Sequence, residues 1–238
     1  HIPVLPLRRG VLFPGHVLPV VATHTEAIHA VEAATKGDKR VFAVSLKDES
    51  GQAAKDNFFT MGVITRLSAT KHVQGGTSII LQGEKRAYAA RYSREDGFFS
   101  ATVSEVKEMR PIDEDNAAFI ALFSETKARA RELGKFYEVP DEAIRQVVDA
   151  NNDPSTFTDQ IAGFLDLPVL DKQSLLETLD VEERMRNLLV HLEQRIGIQK
   201  AQTKIKSDVQ EKLGKRQKEM YLREQLSAIR KELGDEDD

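Results

Sequence analysis

The sequence predicts an α+β chain. A twisted, barrel-like or sandwich β domain with one helix comes first, followed by a helical bundle and a long projecting C-terminal helix. Three observations predict it. Short strand-like runs separated by turn residues fill positions 1–109, helical periodicity takes over after Pro111, and no proline falls in positions 180–234. The corresponding divisions are 1–109, 110–179, 180–234 and an acidic end at 235–238.

Ile2, Val4 and Leu7 open a strand, and Val41-Phe42-Ala43-Val44 is a short buried-strand run. Met61, Val63, Thr65 and Leu67 alternate, as do Tyr88, Ala90 and Tyr92, then Phe99, Ala101 and Val103. Gln74-Gly75-Gly76-Thr77 and Glu95-Asp96-Gly97 supply hairpin turns. Between the first strands, Ala27, Ile28, Val31 and Ala34 mark a helix over about 25–35, with Gly37 beyond its end.

Past Pro111, Phe119, Leu122, Phe123, Thr126 and Ala130 fall at helical spacing, predicting a helix over 113–133 stopped by Gly134. Shorter helices are expected near 141–150, 154–165 and 171–179, each beginning beside a capping residue or proline. Asp180 followed by Glu183 has capping-box spacing. A helix from Val181 to Leu233 would run roughly 80 Å at about 1.5 Å per residue, too long for any domain of this size to cover. Gly197 and Gly214 are expected bend points. The seam Leu222, Leu226, Ile229, Leu233 is spaced 4-3-4, as in a coiled coil, and implies a partner there.

The 238 residues are 40% hydrophobic, enough for one large or two modest cores and too much for a disordered chain. With no cysteine there is no disulfide framework and no thiolate chemistry. No apolar run approaches the roughly 20 residues of a membrane span, so a soluble, cytoplasmic protein without a membrane partner is expected. The net charge of −4 hides unlike blocks. Residues 1–110 carry 15 Lys/Arg against 11 Asp/Glu, residues 111–179 carry 6 against 14, and residues 180–234 carry 13 against 9. That pattern favours protein contact over a nucleic-acid surface, which is usually far more basic.

No catalytic constellation stands out. Gly134-Lys135 and Gly214-Lys215 are followed by Phe136 and Arg216, so neither is a phosphate loop. His24 and His29 lie about 140° apart around a helix and cannot share a metal from one face. No catalytic, cofactor-binding or metal-ligating residue is therefore assigned. The run Leu5–Val20 is unusual, because three prolines and two glycines interrupt strongly apolar sequence. Part of it must be loop or edge strand. Either Leu12, Phe13 and Val17 fold back onto the barrel, or part of the loop stays exposed to contact apolar peptide segments. Phe58-Phe59 and Phe98-Phe99 read as core rather than as base-stacking platforms.

The opening LPLRRGVLFPGHVLPV, the later ILQGEKRAY and above all QKEMYLREQLSAIRKELGDED resemble the N-terminal region of the Lon family of ATP-dependent proteases. The likeness covers essentially the whole chain in order, and the stretch Tyr221–Leu226 with Ile229–Gly234 is its most specific part. Met220 departs from the second aromatic residue many relatives carry. The resemblance implies a non-catalytic part of a longer protein, with an AAA+ ATPase that binds ATP and magnesium, and a Ser-Lys protease, following it. It implies recognition of unfolded or damaged proteins and support of a homo-hexamer. Leu12, Phe13, Pro14, Val17 and Leu18 are the expected substrate contacts; Tyr221, Leu222, Leu226 and Ile229 are the expected subunit or ring contacts. A nucleic-acid-binding β module with a helical oligomerisation arm is the rival, and the weak basic charge of 1–110 does not favour it.

Overall fold

The structure, a computed structural model, describes residues 1–234; the acidic end 235–238 lies outside the described residues. Six strands are formed: β1 (Ile2–Leu7), β2 (Val17–Ala22), β3 (Arg40–Ser45), β4 (Met61–Val73), β5 (Gly76–Arg94) and β6 (Phe99–Glu105). They form one sheet in the order β2-β5-β4-β3-β1-β6, which an additional β5–β6 pairing closes. The result is a five-stranded barrel with β2 attached outside the ring. β5 makes this possible by its length. Its first half pairs with β2 through Thr77–Gln82, and its second half with β6 through Ala87–Arg94.

Alternation along the strands builds two cores. Leu5, Val41, Ala43, Ile79 and Leu81 point toward helix α1 (Thr25–Lys36) and meet Ala27, Val31 and Ala34. Val4, Phe42, Val44, Ala87 and Ala101 point the other way and meet Phe58 and Phe99. The Phe58 and Phe99 rings stand edge to face, 5.2 Å apart, the preferred aromatic arrangement. Both are buried, as expected from sequence, and neither can stack on a base.

After β6 the chain is helical: α2 (Ala117–Phe136), α3 (Asp141–Ile144) running into a π turn (Arg145–Asp149), α4 (Pro154–Phe164), α5 (Val169–Glu177) and α6 (Val181–Glu232). Two expectations for α2 change. It starts later than Asp113, because Asn116 accepts from the Ala118 N–H and caps it while Asp113 holds a turn ahead of it. Gly134 does not stop it. The helix runs to Phe136, and a Cβ at Gly134 would meet the Ile144 side chain at 3.3 Å, so the glycine admits α3 rather than ending α2. The stop comes from Glu138 at φ 56.

Asp153 caps α4, accepting from the Thr156 N–H, and Asp180 caps α6, accepting from the Glu183 N–H. Phe119, Leu122, Met185, Phe123 and Leu189 form the helical core. The described residues divide into two compact units, 1–192 and 193 onward. The barrel and the helices up to the first turns of α6 belong to the first. In the second, α6 passes through Gly197 and Gly214 without a break, and every residue from Lys200 to Gly234 is exposed.

Candidate functional site

The unusual run between β1 and β2 resolves into a turn, a bulge and an edge strand. Phe13-Pro14-Gly15-His16 is a type II turn: the His16 N–H donates to the Phe13 carbonyl at 3.2 Å, Pro14 holds the second position and Gly15 has φ +82. Gly15 and His16 together oppose Gly83, the Gly15 N–H donating to the Gly83 carbonyl and the Gly83 N–H to the His16 carbonyl, both at 2.9 Å. This is a G1 bulge. A Cβ at Gly83 would run into the Phe13 carbonyl, so only glycine fits opposite the turn.

The bulge sets the phase of β2. With His16 facing β5, the register Leu18↔Leu81, Val20↔Ile79 and Ala22↔Thr77 turns the backbone groups of those residues toward β5. Val17, Pro19 and Val21 then direct theirs outward, to an edge that no strand among the described residues occupies. Proline is tolerated there because its missing N–H falls on the unpaired side. Val17 and Val21 are 60% and 53% exposed.

β1 runs antiparallel to β2, since β1 and β2 are antiparallel to β6 and β5 respectively, and β6 to β5. Yet β1 pairs with β3 and β6, not with β2. Between them lies a groove of about 1010 Å³, lined by Leu5–Leu12 on one side, by Leu18 and Val20–His24 on the other, and by the start of α1. Ser45 and Arg8 hold the loop wall, donating to the Gly10 and Gly51 carbonyls. At one end stand His16, Gly163 and Lys172. Lys172 Nζ donates to the Gly163 carbonyl at 3.0 Å, and burial pushes its pKa below the ordinary lysine value.

The expected contact residues separate. Leu12 and Phe13 are buried at 3% and 0%; Leu12 still forms part of the groove wall, whereas Phe13, expected as a substrate contact, lies wholly in the core and away from the groove. Their apolar character seats the turn on the barrel. Pro14 is half-buried in the turn. Val17 and Leu18 are exposed, Val17 on the outer face of β2 and Leu18 in the groove. On α6, Tyr221, Leu222, Leu226 and Ile229 are all at least 50% exposed.

Sequence reading missed a buried charge cluster joining the barrel to the helices. Arg86 of β5 grips Asp159 of α4 in two parallel bonds of 2.7 and 2.6 Å and donates to the Leu176 carbonyl. Arg184 of α6 donates to the Thr178 carbonyl and to Asp159 at 3.1 Å, and its Nη2 lies 2.8 Å from Glu108, an ion pair short of hydrogen-bond geometry. Arg86, Asp159 and Arg184 are each 3% exposed or less. Burial works against ionisation of Glu108, but Ser155, Arg184 and Arg86 together outweigh it and hold the carboxyl below its usual range. The available signal was periodicity. Arg184 lies three residues after Val181 and four before Leu188, on the core face where a charge needs a partner. Among the described residues no group of three His, Asp or Glu is placed to hold a metal.

Residues 1–194 match the family model described as the substrate-binding domain of ATP-dependent protease La (LON), and the chain belongs to that family. It is 42% identical over 240 residues to Lon protease 1 of Sorangium cellulosum and 32% identical over 241 residues to the Lon protease of Escherichia coli K12. Each alignment covers 100% of this chain and 30% of the relative, so the chain spans under a third of their length. The N-terminal domain of Mycobacterium avium complex Lon protease superposes with a TM-score of 0.66 at 27% identity, covering 81% of this chain and 97% of that one. A Lon N-terminal domain protein from Xanthomonas campestris shares the fold at 17% identity and a TM-score of 0.56, covering 79% and 96%. The resemblance noted in the sequence and the α+β architecture with its long C-terminal helix are thus established.

Proposed function

We propose that this chain is the substrate-engaging N-terminal region of a Lon-type ATP-dependent protease, and that it holds extended segments of unfolded or damaged proteins in the groove between β1 and β2. The observation carrying this reading is the outward row of backbone groups on β2, with donors and acceptors at Val17 and Val21 and an acceptor alone at Pro19. An extended polypeptide presents the complementary row of donors and acceptors, and strand addition to an open edge is a general mode of peptide capture. A folded protein pairs most of its strands and blunts or covers the edges that remain, so it offers far fewer such rows than an unfolded chain. The apolar side chains of Leu18 and Val20 beside that edge suit hydrophobic segments. The carboxylates Glu26 and Glu49 accompany Arg8, Arg9 and Lys172 in the lining, which supports a polypeptide over a polyanion.

In this reading the chain carries no catalytic residue. ATP and magnesium bind in an AAA+ module, and a Ser-Lys module cleaves the peptide bond. Helix α6 leads toward those modules. Its exposed Tyr221, Leu222, Leu226 and Ile229 contact them or neighbouring subunits of a homo-hexamer. Six copies would turn weak grooves into useful affinity by raising effective concentration. The experiment is a titration of one protein in native and permanently unfolded forms against this chain, with Val17→Asp/Val21→Asp as control. Selective binding of the unfolded form, lost in the control, is expected. Equal binding of both forms overturns the reading.

A further inference from the structure

A second cavity lies in the helical part of the same compact unit. Its volume is about 420 Å³, and its walls come from the end of α2, from α3 and its π turn, from the end of α4 and from Leu192. The lining is almost wholly apolar. Leu133, Val147, Val148 and Ile161 form its sides, while Tyr137 and Phe164 stand at its lip, 48% and 64% exposed. Neither a charged side chain nor a side-chain amide lines it. Two local departures from regular helix shape the walls: Gly134 lets Ile144 approach α2, and the π turn brings both Val147 and Val148 to the cavity.

The cavity abuts the peptide groove. Gly163 lines the groove and Phe164, the next residue, lines the cavity. His16 sits at the junction, its ring 5.3 Å from that of Phe164 and its Nε2 3.2 Å from the Gln160 carbonyl. A Cβ at Gly163 would collide with His16, so the glycine is what brings the two sites together. His16 also immediately precedes Val17, the first residue of the open edge. A segment lying along β2 therefore leaves the groove at the mouth of the apolar cavity.

We infer that this cavity is an anchor pocket for one bulky apolar side chain, such as phenylalanine or leucine, carried a few residues beyond the stretch paired with β2. The inference rests on the reading of the groove as a polypeptide site. A volume near the lower end of the roughly 300–1,000 Å³ range of ligand pockets suits one side chain and its flanking backbone. A second copy of this chain would instead need a face burying about 800 Å² per partner. The occupant matters for selectivity. Bulky apolar side chains are inside native proteins and become available when they unfold, so the pocket reads the same unfolded state that the edge reads through the backbone.

The test uses two fluorescein-labelled peptides with a shared Val/Thr core, one flanked on both sides by Phe and the other by Ser. Anisotropy titrations of the full chain should show the Phe peptide binding at least about tenfold tighter. Ala143→Phe, which fills the pocket from its wall, should remove that preference and leave the Ser peptide unchanged. Phe164→Ser, at an exposed position that leaves the core intact, should reduce it. Equal affinities of the two peptides for the unaltered chain overturn the pocket while sparing the groove. Absence of binding by either peptide overturns the groove reading and the pocket with it. Concentration-dependent dimerisation that Ala143→Phe dissolves, seen by sedimentation, assigns the pocket to a second copy and overturns the inference.

Discussion

Replacing Asp159 with alanine removes the acceptor on which two buried arginines converge. Arg86 loses bonds of 2.6 and 2.7 Å and Arg184 one of 3.1 Å. Two guanidinium groups then share one carboxylate, Glu108, whose side chain is 23% exposed. Removing one partner of a buried ion pair costs roughly 3–5 kcal/mol, because the remaining charge keeps its desolvation penalty without its compensation. Set against a typical total of about 5–15 kcal/mol, that is a large fraction. With a urea slope of about 1–3 kcal/mol per molar, the unfolding midpoint should fall by roughly 1–5 M. Urea titration followed by circular dichroism measures it. The double variant Arg86→Met/Asp159→Leu leaves Arg184 balanced by Glu108 and should be less destabilised than Asp159→Ala. A loss below about 0.5 kcal/mol for Asp159→Ala would refute the reasoning, since that is the size of an ordinary surface change.

Three further outcomes follow from the same geometry. Glu108 has a folded-state pKa below its ordinary value of 4.5, so its contribution is fully present above 4.5 and is lost as pH falls through the lower, folded value; Glu108→Gln should flatten this acid limb in urea titrations across pH. Phe13→Ser should destabilise the chain by about 3–5 kcal/mol in thermal or urea unfolding, whereas Val17→Ser should change stability by under about 0.5 kcal/mol while weakening capture of unfolded protein in a binding titration. Gly62→Ala would place a Cβ 2.6 Å from the Ala43 carbonyl and 2.7 Å from the Phe42 ring, and the barrel strands should yield at a cost of about 1–3 kcal/mol, read from the unfolding midpoint.

Much of the fold was legible because its signals are local. The alternation in β4 and β6, the apolar stripe of α1 and the Asp180 cap each lie within a few residues, and each forms as expected. The α2 boundaries were not, because Gly134 serves Ile144, ten residues on, rather than the helix carrying it. The candidate site was half legible. Leu5–Val20 stood out, and Arg9 and Leu18 of its exposed residues line the groove, but alternation could not say that Leu12 and Phe13 turn inward. Their direction is fixed by the turn and bulge opposite Gly83, a contact with a distant strand. The Arg86–Asp159–Arg184 cluster joins three elements far apart in sequence, and only three charges on apolar faces hinted at it.

Amide hydrogen exchange at β2, with and without saturating unfolded protein, addresses the groove most directly. Val17 and Val21 should gain protection when a strand adds to the barrel, while Leu18 and Val20, already bonded to β5, should change little. Unchanged exchange at Val17 and Val21 in a demonstrably bound complex would contradict strand capture and move the contact elsewhere on the molecule.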